Sequence, residues 1–88
     1  MAEEKKEEKI GEVEHFFGKI SVAAIKISKG TLKVGDTIHI KGHTSDFTQK
    51  VDSIQIEHNK VEEAKKGDDI GIKVIEHVRE KDEVFKVT

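Results

Sequence analysis

The chain has no cysteine, no proline, no tryptophan and no tyrosine, and its one arginine is Arg79. Without cysteine there is no disulfide framework, no thiolate zinc site and no thiol nucleophile. Without Trp and Tyr, any stacking on unpaired bases falls to phenylalanine and histidine. With a single arginine, sequence-specific nucleic-acid readout is not expected. Long apolar runs are missing too: the most apolar window, Ile20 to Ile27, falls far below the roughly 20 residues that a membrane-spanning helix needs. The N-terminus is charged where a secretory leader would be apolar, so a cytoplasmic protein without membrane contact is expected.

What is present is charge and aliphatic residues. Charged side chains make up 39% of the 88 residues, mostly Lys and Glu, and the net charge is −2. Eighty-eight residues make one small domain, which buries roughly 60–65% of its unfolded surface. The Lys/Glu bias resembles that of hyperthermophile proteins and suggests a thermophilic source. The charge is unevenly spread. From Gly18 to Val51 six lysines face only Asp36 and Asp46, whereas acids outnumber bases from Asp52 onward. That asymmetry predicts one basic face.

Residues 1–9 offer nothing apolar after Ala2 and are expected to form a charged flexible tail ahead of one domain over 10–88. From Ile10 onward the hydrophobic period is close to two. Val13, His15 and Phe17 share one face of a predicted strand, and Glu12 and Glu14 the other. Lys19 to Ile27 is a second predicted strand, apolar on both faces at Val22–Ile25. Ser28–Gly30 and Gly35–Asp36 read as turns, with Leu32 and Val34 expected to tuck into the core between them. Ile38 and Ile40 point inward from the next strand, and residues 42–46 form a polar loop. Phe47, Gln49 and Val51 share a parity that Ile54 and Ile56 do not, which predicts a bulge near Asp52–Ser53. Turns at His58–Lys60 and Lys66–Asp68, a strand through Ile70, Ile72 and Val74, a charged loop over 79–82 and a last strand over 83–87 complete the pattern. No window carries a capped amphipathic helix. The expected fold is all-β, a small closed antiparallel barrel of six to seven strands.

One ordered set of residues carries more information than the pattern. Gly11-x-Val13, Gly18, Gly30-x-Leu32-Lys33-Val34-Gly35-Asp36-x-Ile38, Val51-x-Ser53-Ile54-Gln55 and Ala64-x-x-Gly67-Asp68-x-Ile70-Gly71-Ile72 together resemble domain II of the translational GTPases, best known from elongation factor Tu. The resemblance covers nearly the whole chain after residue 9. It implies the translation-protein β-barrel, which in full-length factors helps to hold the aminoacyl end of tRNA or contacts the small ribosomal subunit. A free-standing barrel of this kind lacks the GTPase domain. Gly18-Lys19 is no phosphate loop, because Ile20 stands where Ser or Thr is required, so no nucleotide hydrolysis follows.

Candidate sites are few. The repeated Val13-Glu14-His15, Ile56-Glu57-His58 and Ile75-Glu76-His77 triplets suggest zinc ligands, but neighbouring Glu and His point to opposite faces of a strand, and no metal or other cofactor is expected. His39 and His43 flank Gly42, too few for a metal site. Asp68-Asp69 and Glu62-Glu63 sit at turns, and no nucleophile elbow surrounds any serine, so an enzyme is not expected. For RNA, whether tRNA or ribosomal RNA, Lys26, Lys29, Lys33, Lys41, Lys50 and His43, with Phe47 as a stacking edge, are the candidate contacts. For a protein partner, or a second copy, the candidates are Phe16 and Phe17, since consecutive phenylalanines cannot both face one core in a regular strand. The leading expectation is a non-enzymatic module that contacts RNA or ribonucleoprotein through lysines; the alternative is a protein-interaction adaptor.

Overall fold

A computed structural model describes residues 7–87. It holds ten strands: β1 (Glu7–Phe17), β2 (Val22–Ile27), β3 (Thr31–Lys33), β4 (Thr37–Lys41), β5 (Asp46–Lys50), β6 (Ile54–Ile56), β7 (Asn59–Val61), β8 (Glu63–Lys65), β9 (Asp69–Lys73) and β10 (Glu83–Val87). Eight form one antiparallel sheet in the order β5-β4-β10-β1-β2-β9-β6-β7, and β3 pairs with β8. The alternating aliphatics produce this directly. Ile25, Ile27, Ile38, Ile40, Ile54, Ile70, Ile72 and Val84 face inward with Leu32 and Val51, all essentially without exposure. The charged residues between them stay in water.

The all-β expectation holds, but the strand count and the closure do not. Among the described residues no ladder joins the sheet's two ends, β5 and β7. The sheet curls instead until β5 meets the segment after β9, and side chains make that seam. The Gln49 amide donates to the Lys73 carbonyl at 2.8 Å, and its oxygen accepts from the Ile75 amide at 2.9 Å. Ser45 Oγ donates to the His77 carbonyl at 3.2 Å. The extra strands are short pairs within stretches expected to be loop. Leu32 lies opposite Ala64 in β3–β8, which buries Leu32 and leaves Val34 exposed rather than tucked into the core.

Other boundaries shift for local reasons. The expected tail of residues 1–9 loses its last three positions to β1, where Glu7, Glu8 and Lys9 pair with Val87, Lys86 and Phe85; its other residues lie outside the described ones. The second strand starts at Val22, not Lys19, because Gly18–Ser21 form the hairpin turn, with Ser21 at φ 55°. The parity change after Val51 falls in a stretch outside the strands over 51–53, where the Val51 carbonyl accepts from the Gly35 amide and the Val51 amide donates to the Asp36 carbonyl, both at 2.8 Å. The register shifts lie in β1, one between Lys9 and Gly11 against β10, the other between Val13 and His15 against β2. At the first, Gly11 passes so close to the Lys26 carbonyl that a Cβ would overlap its oxygen.

One turn recurs three times. In Lys33–Asp36, Lys65–Asp68 and Arg79–Asp82 the final aspartate's amide donates to the first residue's carbonyl, at 3.0, 2.9 and 3.2 Å. The aspartate's carboxylate accepts from the first residue's amide, at 2.8, 2.8 and 2.9 Å. The third position has positive φ, as in a type II turn: Gly35 at 98°, Gly67 at 95° and, without glycine, Lys81 at 74°. The turn expected at His58–Lys60 sits one residue earlier. Glu57 and His58, at φ 50° and 68°, form a two-residue hairpin in which Ile56 lies opposite Asn59, the geometry of a type I′ turn.

Candidate functional site

The expected RNA contacts do not gather into an unbroken basic strip. Ladder partners place one row of exposed side chains across six strands: Asp46, Lys41, Glu83, Glu12, Lys26 and Asp69. Lys9 bridges Glu12 and Glu83 within it, at 3.1 and 3.2 Å. Lys41 and Lys26 therefore each stand between carboxylates. Lys29 lies 3.9 Å from Glu8 and Lys33 3.6 Å from Glu63. Lys50 lies opposite Thr37. His43 is exposed in the loop before β5, but Phe47 is core, so the phenylalanine offers no stacking face. The local excess of lysine in sequence is offset in space by acids from β1, β8, β9 and β10.

The apolar candidates separate more sharply. The shift in β1 at Glu14 changes the strand's parity, so Phe16 turns inward and packs on the core. It meets His77 edge-on at 4.6 Å between ring centres. Phe17 turns outward, 47% exposed, with His15 edge-on at 4.6 Å. Beyond Phe17, Ile20 stands at the hairpin tip, 62% exposed, and Ile75 is 69% exposed. The Val74 amide bonds to the Ser21 carbonyl at 2.8 Å, which brings Ile75 to the same end of the molecule. Sequence reading missed Ile20 and Ile75. Ile20 sits in a window that reads as strand, and the signal against it was the glycine at Gly18 followed by a polar residue at Ser21; Ile75 follows directly on the Ile70, Ile72 and Val74 alternation.

Between Phe17 and Ile20 lies an open groove of about 380 Å³, lined also by Val22, Ala24, Gly71 and Gln55, with Glu57, His58 and Asp69 along its lip; Ile75 lies outside it. Its floor comes from register. Ala24 lies opposite Gly71, and Gly71 opposite Gln55, so two small residues meet where larger ones would fill the outer face. Of the four non-glycine residues with positive φ among the described ones, three adjoin it: Ser21 beside Ile20, and Glu57 and His58 on the lip. Such backbone costs about 1 kcal/mol or more per residue. Beside the groove, a hydrogen bond to Asp69 holds the Glu14 carboxyl above the usual carboxylate range; burial and repulsion add to this, and Lys26 opposes it.

Among the described residues no group of three or more potential ligands gathers to hold a metal ion, and no helix is long and apolar enough to cross a membrane. The sequence model of elongation factor Tu domain 2 matches residues 21–75. The chain belongs to the elongation factor Tu domain 2 family. Curated relatives matched over this domain are much longer proteins. An uncharacterized protease of Methanocaldococcus jannaschii is 47% identical over 77 residues, covering 86% of this chain and 19% of the relative. A collagenase of Porphyromonas gingivalis is 38% identical over 78 residues, covering 88% of this chain and 22% of the relative. This domain 2 chain thus spans about a fifth of the length of the curated relatives it matches. Among solved structures, the C-terminal domain of a Geobacillus thermoleovorans protein named as a U32 peptidase superposes with a TM-score of 0.83 at 21% identity, covering 90% of this chain and 91% of that one. The domain 2 fold thus occurs outside translation GTPases, as one part of proteins named as proteases.

Proposed function

We propose that this domain is a non-enzymatic binding module that docks on a polypeptide through the groove beside the β1–β2 hairpin. The observation that carries the reading is the exposure of Phe17 and Ile20 together over an Ala24–Gly71 floor. A side chain of this size gains about 1.5–3 kcal/mol on full burial. Roughly half of each is still available here, so the pair offers about 2–3 kcal/mol to a partner. The protease and collagenase names of the longer relatives support a companion role beside a larger polypeptide, and the fold by itself assigns no chemistry. The absence of cysteine supports a cytoplasmic setting, and the Lys/Glu bias a thermophilic source.

Contact with RNA through the lysines has less to stand on, because Lys26, Lys29, Lys33 and Lys41 each have a carboxylate beside them. Affinity recovery from the native host, with and without nuclease, separates the two readings. Polypeptide docking predicts a partner that survives nuclease, tolerates 300 mM salt and disappears with Ile20→Ser while the melting temperature is kept. A partner released by nuclease or by modest salt, and indifferent to Ile20→Ser, contradicts it.

A further inference from the structure

His39 stands outside the groove and has an unusual set of neighbours. It projects from the outer face of β4, opposite Phe85 on β10 and Thr48 on β5. Its Nδ1 lies 2.9 Å from both carboxylate oxygens of Glu7, at the start of β1. Its Nε2 bonds to Asp46, at the start of β5. A carboxylate only accepts, so both ring nitrogens must donate, and that requires the imidazolium. Phe85 lies alongside, 6.0 Å between ring centres. Residues 32 and 7 positions away in sequence are thus joined through one proton-dependent side chain.

The position of Asp46 gives this contact a consequence. β5 is the end strand of the large sheet, and its outer edge is held to the 73–77 segment by the Gln49 and Ser45 side chains. We infer that His39 is a proton-operated latch: protonated, it pins the start of β5 to the start of β1, and deprotonated it can satisfy one carboxylate and must release the other. Loss of Asp46 frees the first residue of the seam strand, next to Ser45. The seam, rather than the whole core, is the part that loosens.

The surrounding charges agree with a cationic His39. From β1 come Glu7 and Lys9, from β10 Glu83, from β4 Lys41, and from β5 Asp46 and Lys50. Lys9 is engaged by Glu12 and Glu83, which leaves Glu7 and Asp46 for the ring. The hydrogen bond to Asp46, then that to Glu7, holds the imidazole above its ordinary range, and the same bond holds Asp46 below its own. A raised imidazole stabilises the fold fully below the unfolded value and loses that contribution as pH rises through the folded one. A depressed carboxylate loses its contribution only as pH falls through its own lowered value. The latch is therefore closed below the raised imidazole midpoint, down to the lowered range of Asp46, and opens as pH rises through that midpoint.

Two NMR measurements on the intact chain test this. The ring-proton titration of His39 is expected to lie above the ordinary imidazole range, and to fall in both Glu7→Gln and Asp46→Asn. Amide exchange, corrected for its intrinsic pH dependence, is expected to show protection in β5 dropping about fivefold or more as pH passes that midpoint, while β2 and β9 stay unchanged. His39→Gln, which cannot carry the charge, should show the open level of β5 exchange at every pH. A His39 midpoint within or below the ordinary imidazole range overturns the inference, as does β5 protection that ignores the midpoint. Should the variants fold poorly, the titration and exchange of the unaltered chain decide the matter alone.

Discussion

Replacing Gln49 by alanine should open the seam that the ladders leave unjoined. The side chain makes two bonds across it, to the Lys73 carbonyl and from the Ile75 amide, at 2.8 and 2.9 Å. Each such bond is worth about 0.5–1.5 kcal/mol net. Water can reach the Ile75 end, so the lower half of the range applies, and the expected loss is about 1–2 kcal/mol. For a domain of this size that lowers the melting temperature by roughly 5–15 °C. Gln49→Glu should do no better, because it keeps the acceptor for Ile75 but sets a carboxylate against the Lys73 carbonyl. Thr48→Ala, one residue away on the other face, is the control and should stay near the unaltered value. Urea unfolding followed by circular dichroism gives the stabilities, and amide exchange at Ile75 locates the change. A Gln49→Ala chain as stable as Thr48→Ala, with Ile75 exchange unchanged, would refute the idea that side chains close this sheet.

Other consequences are equally direct. Lys81→Gly should stabilise the chain by about 1 kcal/mol in chemical denaturation, because position 81 has the positive φ that glycine supplies in the two sister turns. Gly11→Ala should cost about 3 kcal/mol or prevent folding, since the new Cβ must displace the Lys26 carbonyl; a normal urea midpoint would contradict that packing. Asp69→Asn should move the Glu14 carboxyl part of the way back toward the ordinary carboxylate range in a carbon-detected titration, because the hydrogen bond to Asp69 is the largest cause of the rise, with burial and then the charge of Asp69 adding to it.

Most of the inward-facing aliphatic set was readable from alternation alone. Ile25, Ile38, Ile54, Ile70 and Val84 all lie where period two puts them, and Gly35 and Gly67 mark real turns. The irregularity in β1 was not readable, since an extra residue there leaves no mark in composition yet reverses every side chain after it. That single shift moves Phe17 and His15 out and Phe16 in. The third member of the repeated turn was hidden because lysine occupies the glycine position. The basic face failed to appear for a different reason. Lysines close in sequence land on separate strands, and their spatial neighbours Glu83, Glu12 and Asp69 come from distant segments. Nothing local announces such long-range pairing. The groove was hidden likewise, because Ala24, Gly71 and Gln55 acquire meaning only once three strands are laid in register.

Photo-crosslinking from a single introduced probe offers the most direct test of polypeptide docking. A probe at position 20, at the groove, is compared with one at position 41, in the charged row, in extract of the native host. Docking through the groove predicts protein adducts from position 20 that resist nuclease, and few from position 41. Nucleic-acid adducts from position 41, with position 20 silent, would contradict it.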